Sequence, residues 1–212
     1  MNKLRTFVAI GMMLLSPSVM AHPHAFINMQ LKPLVEEQRL LGFSMKWTLD
    51  EASSSELLYD LQLAQGDKRE ETKLIGELMK NVINEHYFSY FFDKSGNKIK
   101  YSAHPRNYGV RNVHGRAMYY FDFLLTNPQP LQNTELTLLT YDPSYYVAMS
   151  YDTKSKTAVD FSPLPANCRG AVEDPNVNAQ IRDYAASLDR MQKDEDFTLG
   201  EQFAQRVVIS CR

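Results

Sequence analysis

The sequence predicts an α+β fold: an antiparallel β-sheet or sandwich with two inserted helices and a late C-terminal helix. Two observations carry this. Apolar and polar residues alternate with a period of two over several separate stretches, so strands dominate. At Asp50, and again near Asn176, that period gives way to helical spacing. Strands in number with helices inserted among them point to α+β.

Residues 26–34 read as a strand, with Phe26, Asn28 and Gln30 on one face and Ile27, Met29 and Leu31 on the other. A charged turn at 36–39 returns the chain as a second strand, 40–49. There Leu41, Phe43, Met45 and Trp47 alternate with Gly42, Ser44, Lys46 and Thr48, which predicts a hairpin. Beyond Asp50, Ser53 and Glu56 have capping-box spacing, and Leu57, Leu58 and Leu61 share a helical face that Gly66 ends. A second amphipathic helix covers residues 70–84, with Leu74, Ile75, Leu78, Val82 and Ile83 on its inner stripe.

The aromatic run 87–92 predicts a strand, 93–97 a turn, and 98–102 its partner. Residues 103–115 read as irregular. Residues 116–125 alternate again, with Ala117, Tyr119, Phe121 and Phe123 on one face. A turn is expected at 127–130, then strands at 135–140 and 145–151. The Pro- and Gly-bearing stretch after Asp152 reads as a long loop holding Cys168. A late helix is expected over 176–191 with Ile181, Tyr184, Ala185 and Leu188 inward, then a polar link at 193–196 and a short terminal segment at 197–211.

The first 21 residues have the pattern of a secretory signal peptide: Lys3 and Arg5, an apolar run over 7–15, and small residues Val19 and Ala21 before the cut. The expected mature protein is one domain, 22–212, exported to the periplasm and soluble. The whole chain carries 23 Lys and Arg against 25 Asp and Glu. Removing a leader with two cations and no acid makes the net charge of −2 more negative by two. That balance gives no electrostatic case for binding nucleic acid or an anionic membrane. After the leader no apolar run approaches the ~18–20 residues of a spanning helix.

Cleavage after Ala21 would start the mature chain at His22-Pro23-His24. An α-amine titrates near pH 7.7–8.0 and an imidazole near about 6.5, so both can shed protons and ligate metal close to neutrality. The competing reading is a frayed polar end. Pro23 has no amide proton, which excludes the amino-terminal copper or nickel chelate that needs a deprotonated second amide. A site here therefore takes its ligands from His22 and His24, the amine, and the fold. His104 and His114 stand in loops where ligands are commonly placed, although each alone reads as a surface residue. His86, at the end of the second helix, reads as structural.

Asp142, in Tyr141-Asp142-Pro143-Ser144-Tyr145-Tyr146, reads either as a turn former or as a carboxylate that ligates or orients a ligand. Asp50 carries the same two readings, helix cap or acceptor behind a ligand. The two cysteines, Cys168 and Cys211, read as a disulfide in an oxidising compartment. A pair of thiolate ligands is the competing reading, but neither has a CxxC partner or a neighbouring histidine. No GxSxG, HExxH or phosphate-cradling loop occurs, so the chain does not read as an enzyme.

These features combine into a resemblance. The leader with Ala21-His22-Pro23-His24, Trp47 with Asp50-Glu51 opening a helix, the Tyr87-Phe88 pair, Tyr141 to Tyr146 and the closing Cys211 resemble a bacterial periplasmic family of unknown function. It is described as a periplasmic component of an ABC-type transport system, and its members resemble the soluble partner of NicO-type nickel/cobalt permeases, a similar system serving zinc import. The resemblance covers most of the mature chain and carries over His22 and His24. It implies a metal-binding accessory protein that passes a divalent ion, zinc first and nickel, cobalt or copper after it, to an inner-membrane permease. Imidazole suits zinc, nickel and copper alike. Two rival expectations are copper handling through the same terminus and a metal-free assembly partner of a permease.

Overall fold

A computed structural model describes residues 23–155, 157–188 and 198–212. The expected leader, His22 and the expected link at 193–196 lie outside the described residues.

The predicted first hairpin forms: β1 (Ala25–Glu36) and β2 (Arg39–Leu49) pair antiparallel around a turn at Glu37 and Gln38. α1 (Glu51–Leu63) and α2 (Lys68–Asn84) follow. After a short 3-10 turn at His86–Phe88 come β3 (Ser89–Asp93), β4 (Arg106–Val113), β5 (Arg116–Pro130), β6 (Thr134–Thr140) and β7 (Val147–Tyr151). The chain closes with β8 (Cys168–Glu173), α3 (Ala179–Ser187), α4 (Leu199–Phe203) and β9 (Arg206–Cys211). The fold is α+β, as expected, in two sheets ordered β4-β5-β2-β1-β7 and β3-β6-β9-β8. Among the described residues the named strands pair antiparallel except β1 with β7, which run parallel.

The two sheets share one core. Met29, Leu31, Phe43, Met45, Trp47, Phe121 and Phe123 from the first sheet meet Phe91, Leu136, Leu138, Val207 and Ile209 from the second. Phe43 packs edge-on against Phe91, ring centres 5.2 Å apart, a geometry that suits the aromatic quadrupoles. At the β2 edge of this core the sequence reading fails by one residue: Leu40, not Leu41, is fully buried. The β2–β5 register shifts between Leu40 and Gly42, and such a bulge flips side chains to the other face. Gly42 is required there, because a Cβ would lie 2.1 Å from the Phe123 carbonyl oxygen.

Several other expectations are corrected. The predicted strand at 87–92 starts only at Ser89, because His86, Tyr87 and Phe88 take left-handed backbone that turns the chain out of α2. Residues 98–102 form no strand. They link the sheets instead, with Ile99 N–H donating to Phe91 O and Tyr101 bridging Leu125. The stretch expected to be irregular contains β4, an edge strand whose Arg106, Asn107, Arg111 and Asn112 hide its period. The turn expected at 127–130 is the end of β5, with Gln129 opposite Leu40; the turn falls at 131–133. The long loop contains β8, paired to β9 from Cys168–Cys211 to Glu173–Arg206. α1 is capped by Asp50 rather than by Ser53.

Cys168 and Cys211 form the expected disulfide. Among the described residues no helix is long and apolar enough to cross a membrane.

Candidate functional site

The two motifs singled out in the sequence meet in space. β1 and β7 pair in parallel from Ala25–Val147 to Met29–Tyr151, which sets His24 beside the residue just before β7. His24 N–H donates to Tyr146 O at 2.9 Å, and Ala25 N–H donates to the same oxygen at 3.3 Å. The two rings stand 5.0 Å apart at 51°. The backbone at His24 is thus fixed by the Tyr-Asp-Pro loop, not left as a frayed end.

That loop is itself tightly organised. Both Asp142 carboxylate oxygens are engaged: Oδ1 accepts from Ser144 N–H at 3.0 Å, Oδ2 from Val147 N–H at 3.0 Å, and the Ser144 hydroxyl lies within 3.0 Å of both. Asp142 therefore acts as the turn former that aims β7, and a direct ligand role would require it to exchange these donors. Tyr145, at φ 55°, stacks on Phe203 with ring centres 4.1 Å apart. It belongs to a small apolar cluster with Ala185, Leu188 and Leu199, so α3 and α4 serve to brace this loop. Gly200 makes the approach possible: its N–H donates to Pro143 O at 3.2 Å, and a Cβ there would sit 1.9 Å from Asp142 O. Nothing in the local sequence marks Gly200 for this role.

On the other side, Asp50 couples the start of β1 to the start of α1. Its Oδ2 accepts from Phe26 N–H at 2.7 Å and its Oδ1 from Ser53 N–H at 2.8 Å, while its own N–H donates to Phe26 O at 2.9 Å. Burial acts to raise the carboxyl's pKa, but the amides of Ser53 and Phe26 outweigh it and hold the group below its ordinary range. Asp50 is thus both helix cap and clamp on β1. Across the loop, Tyr141 stacks on Tyr90 at 4.4 Å, and burial, then nearby Glu201 and Tyr90, pushes its phenol up. Tyr141 therefore contributes a neutral hydroxyl near this end.

The other candidate residues stand apart. His114 is exposed in the β4–β5 turn, at the same end of the sheet as His24 but beyond β2 and β5, roughly 10–15 Å away at normal strand spacing. His104 is exposed just before Arg106, which pairs with Asp122 and so lies level with Ser44 and Lys32. That is roughly 25 Å along the sheet from His24 at the usual rise per residue. His22 lies outside the described residues. Among the described residues no group of three or more His, Cys, Asp or Glu is arranged to hold a metal ion. What they offer is one positioned imidazole, exposed Phe26 and Tyr146 beside it, and two carboxylates spent on holding the backbone.

Residues 7–211 match the family described as Protein of unknown function (DUF1007). The chain is also 51% identical over 209 residues, 98% of its length and the full length of the relative, to an uncharacterized protein of Haemophilus influenzae. The match covers nearly the whole chain, through the final strand, so the chain belongs to the DUF1007 family.

Proposed function

We propose that this chain is a periplasmic accessory protein that binds a divalent metal ion, zinc first, as cargo and passes it to an inner-membrane permease of the NicO type. The observation that carries the reading is the His24–Tyr146 backbone hydrogen bond. It holds His24 at a fixed point on the fold, two residues from the expected mature terminus. Three nitrogen donors on a short tether suit zinc, nickel and copper, and the limited donor set favours an ion that can be released. Asp142 and Asp50 serve this reading by holding the backbone. His104 and His114, far from the tip, are not needed by it.

The test uses protein purified from the periplasm with its native terminus, since a retained initiator Met blocks the His22 amine. Zinc titration by calorimetry is expected to show one tight site, lost in the His22→Ala plus His24→Ala double variant. Unchanged stoichiometry and affinity in that variant would overturn the assignment. Absence of any bound metal in the native protein would favour a metal-free assembly role.

A further inference from the structure

A separate feature has no part in that reading. Where α2 gives way to β3, the linker 98–102 arches from one sheet to the other and borders an open-sided cavity of about 570 Å³. This is within the range of sites that take small organic ligands, roughly 300–1,000 Å³. Its walls are chiefly apolar: Ile83, Tyr87, Phe91 and Ile99 line it. Its formal charges are those of two lysines. His86, Lys98 and Lys100 line it and are exposed to solvent, and no Asp or Glu is among the described lining residues.

Two further observations mark the cavity as a built site. Tyr101 is also in the lining, and its hydroxyl is buried and makes no hydrogen bond among the described residues. Burial, and then the neighbouring Tyr90 and Tyr151 phenols, pushes its pKa far up, so it remains a neutral donor. A buried donor without an acceptor is destabilising and calls for an explanation. The second observation is strain. His86, Tyr87 and Phe88 are three consecutive residues other than glycine with φ between 48° and 56°. Such backbone persists only where the surroundings enforce it. Here it directs the Tyr87 ring into the core and its hydroxyl onto Ser102 O at 2.8 Å, pinning the linker that roofs the cavity.

We propose that this cavity binds a small amphiphilic anion, an aromatic or medium-chain aliphatic carboxylate or sulfonate. Its apolar body would lie against Phe91, Ile83 and Ile99, and its charged end would face Lys98, Lys100 and His86. A cationic ligand of the same size is disfavoured by the two lysines.

The probe is anilinonaphthalene sulfonate, titrated fluorimetrically into the mature protein. Saturable one-to-one binding is expected, competed by decanoate and not by an alkylammonium of equal chain length. Reversing the two mouth charges, Lys98→Glu with Lys100→Glu, is expected to weaken the probe about tenfold, the loss of two partly solvated charge contacts. Ala103→Trp, which fills the rim, is expected to abolish it while the thermal melt stays cooperative. Failure of the probe to saturate, or affinity indifferent to both changes, would overturn the proposal. The His22→Ala plus His24→Ala variant is expected to bind the probe normally, which separates this site from the metal-binding tip.

Discussion

The amide of His24 donates to the carbonyl of Tyr146 at 2.9 Å, and this bond joins two sequence motifs that lie at opposite ends of the chain's first sheet-forming span. It fixes the backbone at His24, and the Tyr146 ring stands 5.0 Å from the imidazole. Tyr146→Ala should therefore keep the fold and loosen the tip. Re-ordering one side chain on binding costs roughly 1 kcal/mol, so zinc affinity is expected to fall about fivefold with unchanged stoichiometry. Calorimetry at constant pH measures this, and an unchanged affinity would mean that the Tyr146 ring does not help position the imidazole.

Asp50 offers a prediction with a definite sign in pH. Its carboxylate holds Ser53 and Phe26 amides, and its pKa lies below the ordinary value. A depressed carboxyl contributes stability above its unfolded pKa, near about 3.9, and that contribution is lost as pH falls through the folded value. Asp50→Asn should cost about 1–2 kcal/mol at neutral pH, in line with a lost charged cap. The gap to wild type should close below pH 4 in urea melts. A gap independent of pH would assign the effect to geometry, not charge.

Gly200 tests whether the late helices brace the Tyr-Asp-Pro loop. A Cβ at that position meets Asp142 O at 1.9 Å, a main-chain atom that cannot swing aside. Gly200→Ala is expected to destabilise by about 1–3 kcal/mol, the usual cost of overpacking. It should also shift the amide resonances of Ser144 and Val147, whose protons point at Asp142. A variant as stable as wild type, with those resonances unmoved, would show that the loop stands without α4.

How far the sequence reveals this arrangement depends on burial. β1, β2 and β5 are half-buried strands whose aromatic residues recur every second position, so Met29, Phe43, Trp47 and Phe121 were legible as core. β4 and β8 were not, because an edge strand carries polar side chains on both faces and looks like loop. The left-handed turn at His86–Phe88 was hidden by aromatic residues that locally favour a strand, the tertiary packing of Tyr87 deciding against them. Both site motifs could be seen singly. Their meeting could not, because it depends on the parallel pairing of strands far apart in sequence, and spacing carries no trace of that.

The disulfide closes a separation of 43 residues between strands that are already neighbours. Restricting an unfolded chain over such a span contributes about 2–4 kcal/mol in the loop-entropy account. Cys168→Ser with Cys211→Ser is expected to lower stability by that amount in urea while leaving the β8–β9 register, and so the circular dichroism, unchanged. Reductant should reproduce the loss in wild type and have no effect on the double variant. A loss well under 1 kcal/mol would mean that strand pairing alone keeps the terminus in place.

Tyr101→Phe separates a stabilising hydroxyl from one kept for another purpose. The ring packs on Phe123, centres 5.0 Å apart, and edge-on to Tyr87 at 6.0 Å, contacts that phenylalanine preserves. The hydroxyl itself is buried and makes no hydrogen bond. Deleting an unsatisfied buried polar group is neutral or stabilising, by up to about 1 kcal/mol, whereas deleting a satisfied one costs a similar amount. The expected result is therefore a melting temperature equal to or above that of wild type. A clear fall would mean that the hydroxyl has a buried water as its acceptor, and Tyr101 would no longer mark the cavity wall as unusual.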